Sequence, residues 1–233
     1  MSYTAAMHPL DNPVWTALTT LQMDLSQANG EARRFPPEVT LLGALHENSA
    51  AAWASLAKLT QGDPVTLYSH TPLELPAGWS SVRQVELFQM VMEDGLTQVQ
   101  LPGCAVLELT NADVPEMSAI YSATRPGRTL CPQIQRCGLF LGVRQEGRLS
   151  AMGGLRLHPP GYREITTVAT HPDLNGRGYA TAVVSALVKK ILAAGEQPYL
   201  TVRTDNQRAI AIYQRLGFRE RTRIHSRTVR YRQ

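Results

Sequence analysis

Residues 164–180 read E-I-T-T-V-A-T-H-P-D-L-N-G-R-G-Y-A, and their order decides the fold. A run rich in β-branched residues reads as a strand, His171-Pro172 as a turn, and Gly176 and Gly178 precede an apolar-striped segment. Glycine takes left-handed backbone and lets a ligand come close to the main chain. A helix starting there presents free N–H groups and the positive end of its dipole, which suits a phosphate. Beyond the glycines, Ala180, Val183, Val184, Leu187, Val188, Ile191 and Leu192 recur at three-and-four spacing and predict an amphipathic helix. Lys189 and Lys190 complement its last turns, and Gly195 is placed to end it. On the two glycines alone, an ordinary strand-to-helix connection reads equally well.

A second block, T-V-R-T-D-N-Q-R-A-I-A-I-Y-Q-R-L-G-F over residues 201–218, repeats the pattern of strand, polar cap, short amphipathic helix and glycine stop. Together the two blocks resemble the GNAT acyltransferase superfamily, whose members transfer an acyl group from coenzyme A to an amine. The first resembles that family's arginine/glutamine-x-x-glycine-x-glycine/alanine signature, with Asn175 standing where arginine or glutamine is usual. The second resembles its aspartate-asparagine…alanine…tyrosine…leucine-glycine-phenylalanine tail. The path from residue 138 to 180 is similar to the branch that includes glycine N-acyltransferase-like proteins.

Working outward, A-V-L-E-L-T at 105–110 is a strand and Asp113 heads a helix. G-L-F-L-G-V-R and R-L-S-A-M-G-G-L-R-L form a hairpin turning at Glu146-Gly147, and residues 224–231 make a last strand. Hairpins followed by strand–helix–strand alternation predict an α/β domain, a mixed sheet flanked by helices, over residues 104–233. Residues 1–103 carry helical patterns at 15–27 and 50–59, with Asn12-Pro13 starting the first, and strand-like stretches at 39–45 and 64–68. A turn at Leu101-Pro102-Gly103 suggests the boundary. The resemblance implies that this smaller N-terminal region is a degenerate copy of the same fold.

The chain has 233 residues, 43% hydrophobic and 18% charged, which is enough to bury a core. No apolar run reaches the roughly 18 residues of a membrane span, and no secretory signal is evident at the start. Cys104, Cys131 and Cys137 form an odd set without paired spacing, so a cytoplasmic setting is expected. Cys131, Cys137 and His158 match no common zinc spacing, so no metal is expected. The net charge is +4, with Arg219, Arg221, Arg223, Arg227, Arg230 and Arg232 clustered at the C-terminal end. With no aromatic platform or recognition motif beside them, these arginines read as a solvated edge strand rather than a nucleic-acid interface.

The resemblance implies acetyl-CoA, or another short acyl-CoA, as co-substrate. The backbone of Asn175, Gly176, Arg177, Gly178, Tyr179, Ala180 and Thr181 would cradle its pyrophosphate. Val168, Ala169 and Thr170 would pair with the pantetheine arm, on a strand in which the family places a bulge. Asn206 would bind the same arm; as a residue it is equally suited to capping a helix. Tyr213 matches the tyrosine that protonates the departing thiolate, against the alternative of a core tyrosine. Glu164 matches the family's general base, against the alternative of a strand-end carboxylate paired with Arg156 or Arg163. By strand alternation Glu164, Thr166 and Val168 are expected on one face. The acceptor is a small-molecule or peptide amine, and a monomer or homodimer is expected. The arginines at 125 and 128, in the loop at 122–135, are placed to meet an acceptor. A non-catalytic acyl-CoA binder is the alternative function.

Overall fold

The computed structural model describes residues 8–93, 95–97 and 103–232. Asn12 caps the first helix, α1 (Pro13–Thr19), accepting from the Trp15 N–H, with Pro13 in the first turn. The helix ends well short of the expected residue 27 because Gln22 is drawn into the protein, donating to the Arg156 carbonyl and accepting from the His158 N–H. Short strands β1 (Gln27–Asn29), β2 (Ala32–Arg34) and β3 (Gly43–Leu45) make a small antiparallel sheet. Helix α2 (Ala50–Thr60) follows, capped by Ser49.

The main sheet has eight strands in the order β4-β11-β5-β10-β9-β8-β7-β6. They are β4 (Val65–Ser69), β5 (Trp79–Met92), β6 (Val106–Leu109), β7 (Phe140–Gln145), β8 (Arg148–Leu155), β9 (Tyr162–Thr170), β10 (Gln197–Arg203) and β11 (Phe218–Tyr231). All neighbours are antiparallel except β9 and β10. Its helices are α3 (Val114–Thr124), α4 (Tyr179–Ala193) and α5 (Gln207–Leu216). The hairpin expected at Glu146-Gly147 forms, with φ of 51° and 79° at those residues. Gly195 and Gly217 end α4 and α5 in left-handed conformation. Asp113 precedes α3, but its carboxylate turns back to Thr110 and to Arg144, which also binds Glu116 and so ties α3 to the β7–β8 hairpin.

Three features depart from expectation. The long strand β5 was not apparent in the sequence because its first half extends past the end of β10 and stays largely exposed, leaving only residues 87–92, apolar but for Gln89, covered. It and β4 place residues 65–92 in the same sheet as the C-terminal strands. The arginine-rich strand β11 is not an edge: it lies between β4 and β5. Its arginines find local partners: Arg221 binds Gln89 and Asp11, Arg227 binds Ser81 and the Leu73 carbonyl, and Arg223 lies over the Phe88 ring. The expected boundary turn falls on Leu101 and Pro102, outside the described residues.

Alternation along the strands divides the core. Phe140, Leu149, Met152, Ala169, Val91 and Tyr199 face the cluster that contains α1 and α3. Leu141, Val143, Ala151, Ile165, Leu200 and Met90 face the cluster of α4 and α5. The β7–β8 hairpin is packed most closely at Gly154, where an added Cβ would stand 2.5 Å from the Phe140 ring. Gly154→Ala is therefore expected to overpack the hairpin by about 1–3 kcal/mol. Thermal unfolding followed by circular dichroism should show a midpoint lowered by roughly 3–10 °C for a chain of this size. An unchanged midpoint would show that the ring yields freely.

Candidate active site

Helix α4 opens on Gly178, whose backbone is left-handed at φ 80° and whose helix has no side-chain cap. Gly176 is also left-handed, at φ 85°. The first helical bond runs from the Ala182 N–H to the Gly178 carbonyl, and among the described residues the amides of 176–181 have no protein acceptor. These donors, together with the helix dipole, make an anion cradle. Asn175 turns away from it, its amide donating to the Pro172 carbonyl at 3.0 Å. Tyr179 buries its ring in the core, so only its backbone faces the cradle. Arg177 is exposed on the loop. Arg208, on the first turn of α5, reaches the same loop, its guanidinium 4.0 Å from where a Gly176 Cβ would sit.

The strand leading into this loop is bent. Thr167 has φ 56°, rare for a β-branched residue, and the β8–β9 register slips there, between the Met152–Ala169 and Gly154–Thr166 pairs. This is a β-bulge, and it shifts the side-chain alternation by one residue. Ile165 and Val168 both pack on the α4/α5 cluster, whereas Ala169 belongs to the opposite one. The expectation that Glu164 and Val168 share a face is thus corrected: the extra residue puts them on opposite faces. The bulge also coincides with a divergence of strands. Residues 162–165 pair with 197–200, but beyond Ile165 the β10-facing edge of β9 has no strand partner among the described residues. The main chain of Val168, Ala169 and Thr170 has no strand beside it on that edge, though a side chain meets the Val168 carbonyl; an extended ligand that binds by adding a strand needs such an edge.

Tyr213 lies beside this opening. It is buried in the same cluster as Val168 and Tyr179, with its ring edge-on to Phe218 at 6.1 Å. Burial pushes its hydroxyl up to about 12, while the positive charge of Arg125 pulls the other way. Asn206 caps α5, its Oδ1 accepting from the Ala209 N–H at 3.2 Å, so the capping role is realised. From the opposite face, Arg125 reaches into the opening just after α3. It donates to the Val168 carbonyl at 3.0 Å and to the Thr124 hydroxyl at 3.0 Å, and its guanidinium stands 4.7 Å from the centre of the Tyr121 ring.

Glu164 points to the α3 side, where its side chain has no solvent exposure. Arg156 grips both oxygens, Nε to Oε2 at 2.9 Å and an Nη to Oε1 at 2.8 Å. Thr201 and the Leu157 N–H donate to the same carboxylate. Burial works against the Arg156 charge, yet Glu164 beside it holds the guanidinium pKa well above its ordinary value. Arg156 also donates to the Tyr68 hydroxyl on β4. Nearby, burial pushes the Cys137 thiol up to about 12, which keeps it protonated at neutral pH.

The structure brings together the α4 cradle, the open β9 edge and Tyr213, and sets Glu164 apart on the other face. Arg208 escaped sequence reasoning because only tertiary contact brings α5 to the glycine loop. Its position two residues after the Asn206 cap was the one available signal.

The FR47-like protein family matches residues 140–228, the stretch that holds all of these elements except the α3 loop. An acetyltransferase of Pectobacterium atrosepticum is 38% identical over 83 residues, covering 34% of this chain and 57% of that protein. A mycothiol acetyltransferase of Paenarthrobacter aurescens is 30% identical over 110 residues, covering 45% of this chain and 34% of that protein. The chain therefore aligns with little more than half the length of the first of these relatives, and about a third of the second. A crystal structure from Novosphingobium aromaticivorans, assigned to the GNAT family of acetyltransferases, superposes with a TM-score of 0.86 at 35% identity, covering 97% of this chain and 100% of that one. A likeness of that extent, over both the front strands and the α4 loop, makes this chain a member of the GNAT acetyltransferase family.

Proposed function

We propose that the protein moves an acetyl or other short acyl group from coenzyme A to an amine by direct attack in a ternary complex. The observation that carries this reading is an uncapped helix N-terminus directly following a strand whose outer edge is unpaired beyond Ile165, with Tyr213 buried in the cluster that also holds Val168 and Tyr179. In this reading the amides of 176–181 hold the pyrophosphate, with Arg177 and Arg208 adding charge. The open main chain of Val168, Ala169 and Thr170 pairs with the pantetheine arm, and the free side of the Asn206 amide faces the same arm. Asn175 contributes through its backbone, since its side chain is engaged with Pro172.

The acceptor nitrogen attacks the thioester carbonyl, the C–N bond forms, and the C–S bond breaks to leave a thiolate. A phenol raised to about 12 is fully protonated at neutral pH and holds a proton to give that thiolate. The Arg125 charge stabilises the phenolate that results, which eases the transfer. A proton acceptor for the amine has to be reached by substrate or by water. The sealed, Arg156-saturated carboxylate of Glu164 supports a structural pairing instead, with water taking the amine proton.

The deciding experiment follows free-thiol release from acetyl-CoA over a panel of amines. Release that depends on an amine supports transfer, whereas tight binding with no release from any amine would identify an acyl-CoA binder. Tyr213→Phe should lower turnover by about tenfold to several hundredfold with little change in acyl-CoA affinity. Unchanged turnover would reduce Tyr213 to packing.

Arg208→Ala tests the cradle. Loss of one exposed cation beside a phosphate should raise the KM for acetyl-CoA by roughly three- to tenfold and leave kcat nearly constant. An unaltered KM would remove Arg208 from the binding site.

Glu164→Gln separates the two roles of that residue. An unpaired, buried Arg156 should cost about 3–5 kcal/mol and lower the unfolding midpoint clearly. Any rate loss should then persist from about pH 7 to about pH 10, where free amine becomes abundant. A stable variant whose rate recovers toward high pH would instead make Glu164 the base.

A further inference from the structure

We infer that the acceptor end of this site recognises an amine that also carries an anionic group, a carboxylate or a phosphate, held by Arg83, Arg125 and Arg128 around the Tyr121 ring. This rests on the acyl-transfer reading above and adds the class of acceptor to it. The place is the end of α3 and the loop after it, where Arg125 reaches the open edge of β9, together with the half of β5 that projects past β10.

Arg125 and Arg128 both lie against Tyr121, with guanidinium carbons 4.7 Å and 5.8 Å from the ring centre. Arg83, on β5, projects to the α3 face of the sheet in phase with Gln89 and Val91. Its pKa is lowered by burial first, and then by the charges of Arg128 and Arg203. Arg203 is satisfied in a bidentate pair with Asp205. Among the described residues, by contrast, no carboxylate lies within ion-pair distance of Arg83, Arg125 or Arg128.

Cations gathered without a counter-charge repel one another, and partial burial strengthens that repulsion. An anion arriving there removes this cost, and planar guanidinium forks bind carboxylate or phosphate oxygens in pairs. Arg125 fixes the geometry. It spans from the Val168 carbonyl, on the strand edge expected to hold the thioester, to the aromatic wall of the acceptor mouth. An anionic group bound at this cluster leaves an amine a few bonds away directed at the reacting carbonyl. A polyamine or other purely cationic acceptor meets repulsion at the same place.

The test measures free-thiol release from acetyl-CoA with glycine, glutamate and 2-aminoethyl phosphate against glycinamide and spermidine. At least one anionic amine should exceed both uncharged and cationic amines in kcat/KM by about tenfold or more. Whichever anion leads identifies the source, carboxylate or phosphate. The double variant Arg83→Gln/Arg128→Gln should raise the KM for that acceptor by about tenfold while acetyl-CoA affinity and glycinamide turnover stay unchanged. Equal or better use of spermidine, or a variant that affects all amines alike, overturns the inference.

If acetyl-CoA binds but no amine is turned over, calorimetric titration of glutamate and 2-aminoethyl phosphate into the loaded protein decides. Binding that the double variant abolishes supports the anion site, and no binding overturns it. Failure of acetyl-CoA itself to bind defeats the transfer reading, and the same titrations into the free protein then judge the anion site alone.

Discussion

The left-handed backbone at Thr167 is the constraint on which the rest of the site depends. A threonine there is costly, by about 1–2 kcal/mol, because its branched side chain crowds the following carbonyl. The surrounding sheet holds it in place through the β8 pairing on either side of the bulge. One extra residue shifts the alternation, so Val168 joins the α4/α5 core while Glu164 stays with α3. The same bend carries β9 away from β10 after four residues of pairing, at 162–165 with 197–200. Had the two strands continued together, their main chains would have satisfied one another and left no edge for a ligand. The open edge and the approach of Arg125 to the Val168 carbonyl both lie at this bend, and Val168 shares its buried cluster with Tyr213.

Charge is distributed around that opening in a consistent way. On the α4/α5 side the free amides of 176–181 combine with Arg177 and Arg208. On the α3 side stand Arg83, Arg125 and Arg128. Between them the interior is electrically quiet. Glu164 and Arg156 neutralise each other, and Tyr213 is kept a neutral phenol by burial. A positive mouth on each side of a neutral passage suits two substrates that both carry negative charge and meet in the middle.

The front of the chain is built into this arrangement rather than laid against it. Strand β5 pairs with both β10 and β11, and β4 closes the sheet beyond β11. Tyr68 on β4 hydrogen-bonds Arg156, so the ion pair that anchors β9 reaches across to the N-terminal part. Gln89 on β5 donates to the Leu10 carbonyl, and Arg221 on β11 binds Asp11, which ties the turn before α1 to the sheet. Arg83, proposed above to meet the acceptor, is itself a residue of β5.

Local physics made much of this legible in the sequence. The apolar stripe of α4, the glycines at 176, 178, 195 and 217, the Asn206 cap and the Glu146-Gly147 turn each depend on neighbours only a few residues away, and each stands where its chemistry predicts. Other features depend on distant partners. β5 is polar where it runs past β10, so it shows no stripe until the sheet explains it. β11 looked like an edge because its arginines are dense, and only the pairing with β4 places it inside the sheet. Glu164 reads in the sequence as a base or as one half of an ion pair, and only the fold brings Arg156, Thr201 and Leu157 around its carboxylate. Residue pattern determined the elements and the glycine-led, uncapped start of α4. The bulge, the divergence of β9 from β10 and the gathering of arginines about Tyr121 were decided by tertiary structure, because each is a balance among groups far apart in the chain.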